Sequence, residues 1–128
     1  MGDKISLSGD FRGAVVNIKS TLTNVQQSVG EIRSEDESTR KDLEKLIGDL
    51  SEALQNAPEE NQEQAEAVAV TAKSLVDAAK VEKPDKALLQ ISGEGLKQAA
   101  QNLAGVMPTV VQIATQIVMA VTKLAGVG

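Results

Sequence analysis

VVNIKSTLTNVQQSVGEI, residues 15–32, decides the fold. Its apolar residues Val15, Ile18, Leu22, Val25, Val29 and Ile32 are spaced 3, 4, 3, 4 and 3, an a/d repeat that places all six on one side of a helix. The stretch is rich in β-branched residues, which lowers helix propensity and leaves a strand over 15–18 as the competing reading. Strand alternation would put Val16, Ile18, Ser20 and Leu22 on one face and strand Val15, Val25 and Val29 on the other. The spacing therefore predicts a helix over 14–33. Asn17, Lys19, Ser20, Thr21, Thr23, Asn24, Gln26 and Gln27 lie between the apolar positions, polar but almost uncharged. An apolar seam with an uncharged flank is what two copies need in order to pair, so these six residues are the candidate self-association set.

Outward from this helix the pattern changes on both sides. Residues 1–13, MGDKISLSGDFRG, alternate weakly around Ile5, Leu7 and Phe11 and are punctuated by glycine, which predicts a short extended arm that needs a partner edge. Downstream, Ser34-Glu35-Asp36-Glu37 supplies a capping hydroxyl and carboxylates for a helix start. That helix carries a stripe of Leu43, Leu46, Ile47, Leu50, Ala53 and Leu54 and stops at residues 55–58. Pro58 opens a third helix striped by Ala65, Val68, Ala69, Ala72, Leu75, Val76 and Ala79, ending near 81–85. Residues 87–91 read as a buried turn or short strand, and Ser92-Gly93-Glu94-Gly95 as a break before a helix with Leu96, Ala99, Ala100, Leu103, Val106 and Met107 inward. Pro108 interrupts that helix, and a final one runs from about Thr109 to Ala125. The expected fold is all-α: a bundle of four to five helices over 14–128, with an extended arm at 1–13, oligomeric. A charged amphipathic part covers 34–83 and an apolar part 87–128. Three charged residues, Glu94, Lys97 and Lys123, follow Ala87.

Composition excludes much chemistry. The 128 residues include no Cys, His, Trp or Tyr and one Phe, so the core must be built of small aliphatic side chains and Met. Zinc sites of the usual kinds, disulfides, thiol nucleophiles and His-dependent triads cannot form. A net charge of −5 and the lack of stacking aromatics speak against a nucleic-acid partner. Glu59, Glu60, Glu63 and Glu66 stand at helical spacing, but without a matching second cluster they read as a solvated face rather than a metal or acid–base site. Ser92–Gly95 lacks the lysine and glycine pattern of a phosphate loop and reads as a turn. No catalytic residue, metal ligand or cofactor is expected, and the chain is read as not an enzyme. The N-terminus has no apolar signal core, so the expected location is cytoplasmic, with membrane association as a second possibility.

The last helix poses the functional question. Val110, Val111, Ile113, Ile117, Val118, Val121 and Leu124 make it apolar over more than half its circumference, and Gln112, Thr115 and Gln116 form a polar stripe. It fits the core of a bundle, an interface between copies or with a partner protein, or a bilayer. At about 1.5 Å per residue, some seventeen residues reach roughly 26 Å, short of a hydrocarbon core of about 30 Å. Two Gln would face lipid in a lone span, and no Trp or Tyr marks an interfacial belt. Core or oligomer interface is therefore the reading carried forward. A soluble core would require Gln112 and Gln116 to be hydrogen-bonded or to line a polar channel.

SGDFRGAVVNIKSTLTNV at 8–25 and ISGEGLKQAAQNLAGVMPTVVQIATQIV at 91–118 resemble a group of small uncharacterised bacterial helical proteins, adaptor-like modules with an SGDFRGxVVNI-type N-terminal segment. The resemblance spans most of the chain outside its charged middle and contains no catalytic signature. It implies bacterial origin and an interaction role. The expected function is a non-enzymatic helical self-association or interaction module. The alternative is a membrane-active protein that inserts its C-terminal helix or hairpin.

Overall fold

The structure, a computed structural model, describes the backbone of residues 3–126 and the side chains of residues 15–126. Five α-helices account for the described chain, with no strand among the described residues: α1 Asp3–Val29, α2 Glu37–Gln55, α3 Gln62–Ala79, α4 Lys86–Gln101 and α5 Pro108–Ala125. The extended arm expected at 1–13 is corrected by this: α1 runs from Asp3. A helix satisfies its backbone internally and propagates by one hydrogen bond per residue once nucleated, whereas a lone strand leaves both edges open. The side chains of Ile5, Leu7 and Phe11 lie outside the described residues.

Each junction follows from local chemistry. The α1–α2 link is closed by Arg40, whose guanidinium donates to the carbonyls of Val29 (2.8 Å), Ile32 (2.9 Å) and Ser34 (2.6 Å) and to the Glu37 carboxylate (3.0 Å). The Val29 carbonyl, at the end of α1, also accepts the Ile32 N–H at 3.2 Å, and Arg40 supplies a donor to the Ile32 and Ser34 carbonyls of the link. The cap of α2 falls two residues later than the expected Ser34. Asp36 accepts the backbone N–H of Thr39 at 3.0 Å and its hydroxyl at 2.7 Å, while the Ser34 hydroxyl accepts the Asp36 N–H. After α2, a 3₁₀ turn at Glu59–Asn61 follows Pro58 and leads into α3. Asp85 caps α4 through the N–H groups of Ala87 and Leu88. Pro108 opens α5, where its missing N–H costs nothing, and Gly126 closes it at φ 76, the left-handed conformation a side chain would resist.

The early cap at Asp85 corrects the reading of 87–95. Residues 87–91 are neither strand nor isolated turn, and Ser92–Gly95 is not a break; both lie inside α4. Gly93 is there for packing rather than for turning. A Cβ added to it would stand 3.1 Å from Val118 Cγ1, so its absence lets α4 approach α5 closely. Gly95 differs: its added Cβ would meet only Thr71 Cγ2, at 4.0 Å. Gly95→Ala is expected to raise stability by about 0.5–1 kcal/mol through helix propensity alone. Gly93→Val is expected to lower it by about 1–3 kcal/mol through overpacking. Urea unfolding of the two variants checks the contrast.

Around the bundle the helices neighbour one another in the order α1, α2, α5, α4, α3, and α3 touches α5 and α2 across the middle. Successive helices are antiparallel. Gln26 of α1 donates to the Glu44 carbonyl of α2, Lys80 at the end of α3 reaches Ser28 near the end of α1, and Gly93 of α4 faces Val118 of α5. The core is aliphatic throughout, from Ile18 and Leu22 through Leu43, Ile47, Leu75 and Leu96 to Ile117 and Val121, each 0% exposed. The α2 and α3 stripes read from the sequence are inward as expected, with Leu46 and Ala53 half-buried. On the α4 side, Leu96, Ala99, Ala100 and Leu103 are inward, but Val106 is 49% exposed because the helix ends at Gln101.

Candidate association surfaces

The six residues of the α1 seam do not form an outer surface. Ile18, Leu22, Val25, Val29 and Ile32 are at most 2% exposed and Val15 is half-buried; α1 packs against α2 and α3 of the same chain. The heptad spacing was a true sign of helix–helix packing, but the partners are intrachain. The expectation that this seam is a self-association surface is therefore corrected: its residues are taken up by the packing of the chain itself. What α1 does present outward is Val16, Asn17, Ser20, Thr23, Asn24 and Gln27, with Lys19 as the charge among them.

In α5 the apolar residues divide. Val110, Ile117, Val121 and Leu124 are buried with Ala114, whereas Val111, Ile113 and Val118 are half-buried. One stripe suffices because α5 sits at the rim of the ring, between α2 and α4. The polar stripe does not behave as a soluble core would require. Gln112 and Gln116 are exposed to solvent rather than hydrogen-bonded in an interior, and the half-buried Thr115 donates its hydroxyl to the Val111 carbonyl at 2.9 Å. Met119, on the same outer side, is 66% exposed. On α4 the outward residues include Ile91, 70% exposed, with Gln98, Glu94 and Leu88. These two helices share a groove lined by Lys86, Gln90, Glu94, Lys97, Val118 and Thr122.

Charge is unevenly placed. Between residues 46 and 72 there are six carboxylates, Asp49, Glu52, Glu59, Glu60, Glu63 and Glu66, and no cation. Glu52, Glu59, Glu60 and Glu63 lie at or beside the turn from α2 into α3, with Asp49 and Glu66 further along those helices. Among the described residues no group of three or more acidic side chains is placed to hold a metal ion. At the opposite end, Lys123 of α5 approaches Asp36 at 3.8 Å, and Lys80 pairs with Asp77 at 3.3 Å. The backbone N–H and hydroxyl of Thr39, with help from Lys123, hold the Asp36 carboxyl below its ordinary value. Partial burial pushes Asp77 upward, but hydrogen bonds from Lys73 and Lys80 outweigh it, and this carboxyl too is held low. Both groups therefore bind protons less readily folded than unfolded. Their contribution is present above the ordinary carboxyl value of 3.8 and is lost as the pH falls through the lower folded values. Thermal melts should fall in midpoint below about pH 4, and the fall should be smaller in Asp36→Asn/Asp77→Asn, which starts from a lower midpoint at neutral pH.

Sequence reasoning placed Val110, Val111, Ile113, Ile117, Val118, Val121 and Leu124 in one group, and the structure separates the inward from the half-exposed members. It missed Ile91 and Met119. An apolar residue at an outward helical position carries no mark of its exposure until the neighbours of its helix are known. Comparison with family models, with curated proteins and with solved structures gives no match to this chain.

Proposed function

We propose that this chain is a non-enzymatic helical association module that works by binding copies of itself or another protein through the outer side of its C-terminal helices. The observation that carries the reading is α5: residues 108–122 contain no charge, yet the helix buries one stripe and leaves Gln112, Gln116 and Met119 in water. Charge depletion with amide, hydroxyl and apolar side chains is the composition of an interface core, and solvated helices ordinarily carry charges every few residues, as α2 does here. Light scattering on a size-exclusion column, in buffer without detergent and over a range of protein concentrations, tests this. A mass above that of one chain supports the reading, and a monomer throughout that also binds no partner contradicts it.

One observation favours a second reading. Pro108–Ala125 is long and apolar enough to cross a membrane by length and composition, with 28% of it buried. A membrane-active module would release or insert α5, with or without α4. Liposomes added to the same column discriminate: a species that moves into the lipid fraction belongs to this reading.

A further inference from the structure

We infer that the outer side of the α3–α4 hairpin takes a second copy of this chain in an isologous contact; the inference rests on the association reading and adds a face apart from the outer side of α5.

Seven large apolar side chains are exposed among the described residues, and four of them, Val70, Val81, Leu88 and Ile91, belong to α3, α4 and the turn between them. The register of the two helices brings these residues to one side. Gly95 of α4 faces Thr71 of α3, since a Cβ built on it would stand 4.0 Å from Thr71 Cγ2. On α4, Leu88, Ile91, Gly95 and Gln98 follow at intervals of 3, 4 and 3, so they share the side that adjoins α3. On α3, Ala67, Val70 and Ser74 stand three or four residues from one another or from Thr71, and all three are exposed. The two helices are antiparallel, so the two rows run along the same seam.

Neither row carries a charge. The charges lie at the margins and largely offset one another. Along the outer edge of α3, Asp77 pairs with Lys73 at 2.8 Å and with Lys80 at 3.3 Å; on α4, Glu94 lies 4.0 Å from Lys97. The turn holds Glu82, Lys83, Asp85 and Lys86, which balance, and Glu63 and Glu66 sit at the far end, in the first turns of α3. An uncharged centre inside a charged rim is the layout of a protein–protein interface.

Shape selects the occupant. The same face holds the projections Val70 and Ile91 and the small residues Ala67, Ser74 and Gly95. In an isologous contact each copy presents the same patch, so every copy supplies both the projections and the hollows. The centre sets no like charges opposite each other when two copies meet, whereas the outer side of α2 would. Size fits as well. Helices of 18 and 16 residues are about 25 Å long at roughly 1.5 Å per residue, and two side by side are about 20 Å wide, a flat footprint of about 500 Å². A ridged helical surface holds more accessible area than its projection, which brings it to the order of the ~800 Å² per partner of a stable interface. An anionic bilayer fits less well, because Glu63, Glu66 and Glu94 stand at the margin and no Trp or Tyr anchors an edge.

The test uses the full chain and concentration-dependent light scattering. Val70→Glu/Ile91→Glu is expected to weaken the dimer at least about tenfold, with helicity retained because both sites are exposed, and Val70→Lys/Ile91→Lys to do the same. A mixture of the two variants is expected to associate at least about tenfold more tightly than either alone, a recovery that a folding defect would not give. Met119→Glu, on α5, is expected to change the dimer less than about twofold. If a double variant folds poorly, Ile91→Glu alone, at a site 70% exposed, decides the matter. A dimer that survives both pairs of substitutions, a mixture that shows no recovery, or dissociation by Met119→Glu instead would overturn this face while leaving association through α5 standing. A folded wild-type monomer at every concentration would remove the second copy as occupant. Transfer of the wild type to phosphatidylglycerol-containing liposomes, with loss of the dimer, would overturn the inference in favour of a lipid surface.

Discussion

Ile117→Asp is expected to abolish the cooperative fold or lower its stability by about 4–5 kcal/mol. Ile117 is 0% exposed at the middle of α5, packed in the common core. The substitution removes a buried aliphatic side chain and leaves a carboxylate where no cation or donor can reach it. Domains of this size have roughly 5–15 kcal/mol in hand, and a core with a single Phe in the sequence belongs at the lower end. Met119→Asp, two residues on, should change stability by less than about 0.5 kcal/mol because Met119 is 66% exposed. Chemical denaturation followed by circular dichroism measures both. A helix held in reserve for lipid would tolerate the two substitutions alike, so the contrast between neighbours on one helix separates a structural α5 from a stored one.

The second large effect is expected at Arg40. Its side chain is 11% exposed and its guanidinium spans three main-chain carbonyls of the α1–α2 link. Arg40→Ala takes the donor from the Ile32 and Ser34 carbonyls, while that of Val29 keeps the Ile32 N–H, and should cost about 2–3 kcal/mol, part of the loss being recovered where water enters. Arg40→Lys should recover less than half of that, since an ammonium is a point charge and cannot reproduce the planar fork. Urea midpoints of the wild type and the two variants give the order wild type, Lys, Ala. Equal midpoints for Arg and Lys would mean that the charge matters and the geometry does not.

Arg40 also shows where legibility ends. In the sequence it is one more charged residue on the outer face of an amphipathic helix, and its neighbour Glu37 gives an ordinary i, i+3 pair. Its contacts reach back to Val29, Ile32 and Ser34, across a turn whose path depends on how α1 and α2 pack. The stripes of α2 and α3 were legible because a 3.6-residue period with charges opposite admits one inward face. The seam of α1 was legible as a packing surface but not as to its partner, because intrachain and interchain helices ask for the same a/d residues. At α4 the pair Gly93 and Gly95 carried a turn signal that tertiary packing overrode: Val118 needs the space at Gly93, and Asp85 had already started the helix. In α5 the apolar surplus was visible, but which half of it faces water follows from the rim position of the helix, which depends on the order of all five.

α5 is a packed helix of the bundle, whose outer side we propose is used for association. Amide hydrogen exchange of residues 110–124 in plain buffer, with and without liposomes, tests this most directly. Slow exchange along the buried side of α5, at a rate set by global unfolding and unchanged by lipid, is the predicted result. Exchange as fast as in an unfolded chain in buffer, slowing only when liposomes are added, would contradict it and assign the helix to the membrane.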